Sequence, residues 1–430
     1  MDEHRPVAAT PLHIALCGPV AGTDLAPLMG LLPSALPRGY DGAPLLVILV
    51  QAWLAAGHRV TVVTLSGDLD VAGPSRAFSS TVQPGLRAVF CPLRPRAWRP
   101  VQGRPGRILD FYRCERQALI AALRAAAPDV VHAHWVYEFA WAALDSGLPA
   151  LVTSHDSPWV VARMNRWARP TVSLYRALRV GMARQVLRRA PPLSVVSPYL
   201  QAELAAHAVP EAVVIPNPVA PQALALGRDR QRGEALRIAM VCNGWDARKN
   251  PQAGLRAFAR VAVQEPRAEL HLFGHGFEPG GPAAQFCQAQ AELRPLQPRI
   301  HGHGPLPHAA LLERLAGMDL LLHPAREETF GLAIAEAMAL GLPVVAGRAA
   351  GAVPWLLQAA ECLADVESPE DLARALLRVA EPARYAALSR SLRESVRLRF
   401  GADAVAQAYV QLLRDILRRG PRSSVAAPSA

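Results

Sequence analysis

Short apolar runs alternate along this chain with longer segments of helical periodicity, the pattern of a parallel α/β sheet. Residues 12–17 read as a first buried strand, 44–56 as a core helix that Gly57 ends, and 60–65 as a second buried strand. This β-loop-α-β order opens a doubly wound fold. Residues 128–134 and 151–155 predict strands that end in polar residues, and 194–197 and 213–217 predict the last strands of a first domain. A stretch rich in Pro, Gly, Arg and Gln then reads as a linker. The expected division is a first domain over 1–217, a linker over 218–235 and a second domain over 236–400. In the second domain, 236–241, 268–273, 299–304 and 319–323 predict strands, and 369–379 and 383–400 predict helices. A last helix is expected within 401–419, followed by a disordered Pro/Ser/Ala-rich tail over 420–430.

The richest chemistry lies over residues 324–346. The strand at 319–323 runs into a loop carrying Glu327 and Glu328, then Phe330-Gly331, then an Ala-, Leu- and Met-rich helix that Gly341 and Pro343 stop. Unpaired N–H groups at the start of a helix suit a phosphate, and Gly331 lets a ligand approach the backbone closely. Glu328 precedes the helix and Glu336 lies eight residues later, within it. Carboxylates accept hydrogen bonds from hydroxyls, so a diphosphate between two polyhydroxylated ends fits: a nucleotide sugar.

The spacing Glu328-x7-Glu336, with Phe330-Gly331 inside it and Glu336-Ala-Met-Ala-x-Gly-x-Pro-Val-Val345 after it, resembles the retaining glycosyltransferases of family 4. The resemblance implies the GT-B architecture: two Rossmann-like doubly wound α/β domains facing across a cleft, with the C-terminal helix crossing back to the first domain. It implies transfer of a sugar from a nucleotide diphosphate sugar to an acceptor hydroxyl with retention, the leaving phosphate taking the acceptor's proton. In that scheme Glu328 holds sugar hydroxyls, Glu336 holds the ribose and His155 lines the reacting sugar. Lys249, with the helix start at Phe330, Gly331 and Leu332, faces the donor diphosphate. No metal and no cofactor is expected. A GT-B epimerase, a phosphorylase or a nucleotide- or nucleic-acid-binding protein is the alternative; no motif supports a pyridoxal-binding Lys.

The chain departs from the family pattern in places. Where the family has a Gly-Gly pair before the first helix, this chain has Asp41-Gly42, and Gly42 is expected to keep the phosphate-facing role. Where the family has an Arg five residues before its Lys, this chain has Gly244, after Asn243; Arg248 is expected to supply the missing charge. Gly351-Ala-Val-Pro354 resembles the family's Gly-Gly-x-Pro, but Trp355 stands where a Glu usually follows.

Composition narrows the setting. With 430 residues and a hydrophobic fraction of 51%, the chain belongs to the globular and not the disordered class. Six scattered Cys without a CxxC read as reduced thiols of a cytoplasmic protein, and the first residues lack the basic and apolar regions of a signal peptide. The longest apolar run, 43–56, is interrupted by Gln51 and is too short to span a membrane. A net charge of +11 suits an anionic substrate or surface. Two basic stretches with interleaved aromatics, 94–124 and 163–189, read as amphipathic helix surface. Peripheral contact with an anionic membrane and a lipid-linked acceptor are expectations of equal weight to a soluble face; nucleic acid is not expected. Asp68-x-Asp70 reads as a solvated turn, and the pair His132 and His134 lacks a third metal ligand. His301 and His303 are assigned to loop geometry or nucleobase edges rather than to metal.

Overall fold

Residues 13–17 begin the first sheet because Ile14, Ala15, Leu16 and Cys17 are all buried, as a central parallel strand covered on both faces requires. The strands of this sheet are β1 (His13–Cys17), β2 (Arg59–Ser66), β3 (Arg76–Ser79), β4 (Leu86–Pro92), β5 (Val130–His134), β6 (Ala150–Ser154), β7 (Leu193–Val195) and β8 (Val213–Val214). They lie in the order β3-β4-β2-β1-β5-β6-β7-β8. All pairings are parallel except that of β3 with β4, so helices supply the crossovers. The second sheet holds β9 (Arg237–Val241), β10 (Glu269–Phe273), β11 (Ile300–Gly304), β12 (Leu320–His323), β13 (Val344–Gly347) and β14 (Leu363–Ala364), in the order β11-β10-β9-β12-β13-β14. All its pairings are parallel. This is a computed structural model; it describes residues 10–40, 43–165, 169–209 and 211–419. Gly42, Trp167 and the tail 420–430 lie outside the described residues.

The chain forms two units. One comprises the chain up to Val195, Ala205–Ile215 and the chain from Ala406; the other comprises Val196–Leu204 and Pro216–Val405. Residues 218–235, expected as a linker, are part of the second unit. They contain the helix Pro221–Leu226, and Arg230 is buried. Its guanidinium donates to the carbonyls of Ala316, Met318 and Leu340 at 2.9, 2.8 and 2.9 Å. These lie at and just beyond the C-terminal ends of the helices His308–Ala316 and Leu332–Ala339, where unpaired carbonyls and the helix dipole favour a cation. A base that reads as linker composition is thus a double helix cap. The helix Ala402–Arg419 starts in the second unit and joins the first from Ala406 onward. There Trp53 Nε1 donates to Ala406 O at 3.2 Å, and the Tyr409 ring packs 4.6 Å from that of His132.

The basic stretch 94–124 is only partly helical. The helix is Arg113–Ala126, and the residues before it, broken by Pro95, Pro100, Gly103, Pro105 and Gly106, are irregular. Arg94 is not a surface base. Its side chain is fully buried and forks onto two carboxylates, Glu115 at 2.6 and 2.9 Å and Asp110 at 2.7 and 2.9 Å. The expectation of a solvated or membrane-facing Arg94 is therefore corrected. Among the described residues no helix is long and apolar enough to cross a membrane.

Candidate active site

The second unit gathers the expected donor-side residues around the carboxyl ends of β9 and β12, where sites of parallel sheets form. Gly331 caps the helix Leu332–Ala339 with φ 92°, a left-handed conformation that glycine adopts without strain. A Cβ there would lie 3.2 Å from both Ile334 Cδ1 and Leu356 Cδ2, so backbone angle and space both select glycine. The first N–H groups of this helix, from Leu332 on, have no intrahelical acceptor. Phe330 does not face a ligand with its ring. It is buried, with its ring centroid 5.4 Å from Phe400 and 6.2 Å from Trp355. Trp355, standing where the family has Glu, completes that aromatic cluster under the guanidinium of Arg399.

Two acid–base pairs occupy the loop before the helix. Lys249 Nζ is ion-paired with Glu328 Oε1, and Arg248 Nη1 lies 3.5 Å from Glu327 Oε2. Backbone bonds fix these loops: Arg326 N donates to Arg248 O at 2.8 Å, and Ala352 N, in the segment after β13, donates to Glu328 O at 2.9 Å. Gly351 makes the second contact feasible, since a Cβ there would sit 2.4 Å from Glu328 O. His323, the last residue of β12, places Nε2 3.0 Å from Glu328 Oε1. Burial alone would raise the Glu328 carboxyl; Lys249 and His323 overcome it and hold the group well below the usual carboxylate range. Glu327 goes the other way. Burial pushes its carboxyl up, only partly opposed by Arg248.

Arg248, expected to supply the missing phosphate-facing charge, is paired with Glu327 and keeps a guanidinium that is one-third exposed. Asn243 is exposed and Gly244, with φ 131°, is partly exposed, in a loop tied by Lys249 N donating to Asp246 Oδ1 at 2.9 Å. Glu336 lies inside the helix, 3% exposed, with Oε1 2.6 Å from His308 Nε2. His308 and His323 escaped the sequence reading. The only signal for either was position: His323 ends a parallel strand, and His308 opens a helix after Pro305-Leu-Pro307.

In the first unit, His155 follows β6 and is 7% exposed. Its Nε2 lies 2.9 Å from His134 Nδ1, and its ring stacks on Trp135 at 4.3 Å. His132 continues the cluster, with Nε2 2.6 Å from Thr153 Oγ1. Burial lowers His132 to about 3 and holds His134 well below the imidazole range, so these rings are neutral partners, not cations. Asp70 accepts from the nearby backbone N–H of Ala72, and Asp68 accepts from the N–H of Arg38 in a distant loop. His301 and His303 are strand residues of β11 beside His271 of β10, so their assignment to loop geometry does not hold.

Residues 45–223 match the family model described as Glycosyltransferase Family 4, and residues 235–381 the one described as Glycosyl transferases group 1. The chain is 30% identical over 178 residues to the D-inositol 3-phosphate glycosyltransferase of Corynebacterium kroppenstedtii, covering 40% of this chain and 39% of that protein. It spans less than half the length of the first curated relatives it matches. Among solved structures, sucrose-phosphate synthase from Thermosynechococcus elongatus superposes with a TM-score of 0.71 at 21% identity, covering 95% of this chain and 100% of that one. Anabaena Alr3699/HepE in complex with UDP-glucose superposes with a TM-score of 0.61 at 17% identity, covering 94% and 100%. With one family model on each side of residues 224–234, and GT-B neighbours over nearly its whole length, the chain belongs to the family 4 glycosyltransferases of the GT-B fold.

Proposed function

We propose that this protein transfers a sugar from a nucleotide diphosphate sugar to an acceptor hydroxyl with retention of anomeric configuration. The observation that carries this reading is Lys249, ion-paired with Glu328, which His323 also contacts, in the loop before a glycine-capped helix. An ammonium has three donors, so one can stay on Glu328 while the others turn to a phosphate. The helix N–H groups add partial positive charge to the same place. Catalysis is then positioning and electrostatic stabilisation of the leaving diphosphate, with no covalent carboxylate and no divalent ion. Glu328 takes sugar hydroxyls with its second oxygen, and His155 carries the role beside the reacting sugar that the family resemblance implies. Thermal-unfolding protection by a panel of UDP, GDP and ADP sugars tests the reading. One member should raise the midpoint and be consumed when acceptor is supplied; a panel with no effect on either readout removes the proposal.

Glu336 is proposed to receive the ribose hydroxyls, with His308 orienting its carboxylate. Glu336→Ala should weaken binding of the free nucleotide about tenfold or more, the loss of a hydrogen bond to a charged group. Calorimetry with the nucleotide checks this, and unchanged affinity rules the role out.

A peripheral membrane contact is proposed for the first unit. The two basic stretches meet there: Trp98 packs edge-on against Tyr175 at 6.4 Å, and Tyr112 Oη lies 3.1 Å from Tyr175 Oη. Around them Leu109 and Leu174 are each 53% exposed, and Arg96 and Arg99 are exposed. Each base near an anionic leaflet contributes about 1 kcal/mol. Binding to anionic vesicles should fade with salt and drop in Arg96→Ser/Arg99→Ser; no sedimentation at low salt favours a soluble acceptor.

A further inference from the structure

Strand β10 reads Glu269-Leu-His-Leu-Phe273 and β11 reads Ile300-His-Gly-His-Gly304. Alternation along a strand sends Glu269, His271 and Phe273 to one face and the buried Leu270 and Leu272 to the other. The two strands pair in parallel with His271 opposite His301, which aligns the imidazoles of both on that same face. β11 is the edge of the sheet, so the cluster straddles the last pairing of the second unit.

We propose that Glu269, His271 and His301 form a binding site for a divalent transition-metal ion of the zinc class, separate from the proposed donor site. Their ligand atoms all lie within 4.8 Å of one another. Glu269 Oε2 is 3.4 Å from His271 Nε2 and 3.9 Å from His301 Nε2. A tetrahedral zinc with nitrogen and oxygen ligands at about 2.0–2.1 Å separates its ligand atoms by about 3.3–3.4 Å. Of the three pairs, Glu269 with His271 already has that spacing, and His301, with a side chain 38% exposed, has room to close its two. Two imidazoles and a carboxylate are a set that zinc accepts, leaving one position for water.

A second feature supports the site. Ligating histidines are held by a partner on their other ring nitrogen. His271 Nδ1 lies 3.1 Å from His303 Nε2, and His303 is itself stacked on Phe273 at 4.6 Å and parallel to His271 at 5.4 Å. When His271 donates from Nδ1 to His303, its Nε2 lone pair faces Glu269 Oε2, acceptor against acceptor, and a cation between them resolves the conflict. With the opposite tautomer the cluster is a proton-sharing network that needs no ion. The two cases differ in metal stoichiometry. Bound metal would pin the edge strand to its neighbour, so its effect is on stability.

The test uses full-length protein stripped with EDTA and dialysed against Zn²⁺ alone. Wild type should retain one zinc per chain and gain thermal stability from it. His271→Gln, and the more exposed pair Glu269→Gln/His301→Gln, should retain none and gain none. His275→Gln, at an exposed histidine outside the cluster, should behave as wild type. Because His271 is partly buried, the double variant keeps the test meaningful if His271→Gln fails to fold. Wild type without stoichiometric zinc, or a folded double variant that still retains it, overturns the site and leaves the proton-sharing network.

Discussion

Lys249→Ala loses about 1.5–3 kcal/mol of nucleotide affinity, roughly a factor of ten to a hundred, the usual worth of a hydrogen bond to a charged group. It also destabilises the fold, because Glu328 is left buried with His323 alone. The two effects separate in a double-mutant cycle. Lys249→Ala/Glu328→Gln removes the stranded carboxylate and recovers stability, yet does not recover nucleotide affinity. Calorimetry with the nucleotide and denaturant unfolding supply the two readouts. Equal nucleotide affinity in wild type and both Lys249 variants would remove Lys249 from the donor site.

The same pair predicts a pH signature. The folded state holds the Glu328 carboxyl below its ordinary value of about 4.3. The unfolded chain therefore binds the proton more tightly, and stability falls as pH drops. Its contribution is present above about pH 4.3 and is lost as pH falls below that toward the depressed value. Glu327, pushed up by burial, has the opposite sign: its contribution is present below the ordinary carboxylate value and is lost as pH rises through the raised one. Lys249→Ala should flatten the acid limb of the stability curve, because burial then outweighs what holds Glu328 ionised. An unchanged acid limb would show that the pair is not formed in solution.

Arg94→Ala is expected to be the most damaging substitution outside the proposed site, at about 3–5 kcal/mol. Its guanidinium satisfies Glu115, 1% exposed, and Asp110 together, and also donates to Pro105 O at 2.7 Å. Removing it strands a buried carboxylate and releases the irregular stretch before the helix Arg113–Ala126. Arg94→Lys keeps one charge but cannot reproduce the two forked contacts, so it should recover only part of the loss. Guanidinium unfolding followed by tryptophan fluorescence measures the series, and an Arg94→Ala protein as stable as wild type would contradict the assignment.

Much of this was legible along the chain. Apolar runs such as Leu320–Leu322 and Val344–Ala346 are strands because continuous burial on both faces of a parallel sheet demands them. The start of a helix at Gly331, with Glu336 within it, was legible because both are local; the left-handed φ of Gly331 and the burial of Glu336 against His308 were not. What the chain could not reveal is which charges meet. Arg94 and Arg230 have the composition of surface and linker, and only the fold brings Glu115 and Asp110 to one and three helix-end carbonyls to the other. Arg248 and Lys249 are adjacent bases in sequence, and the loop 79 residues on supplies each with its own acid. His308 met Glu336, and His271 met His301, across 28 and about 30 residues in the same way. Local sequence determined elements and backbone angles. Tertiary structure decided the partners of these buried charges, because desolvation makes a charge costly until a group distant in sequence arrives to satisfy it.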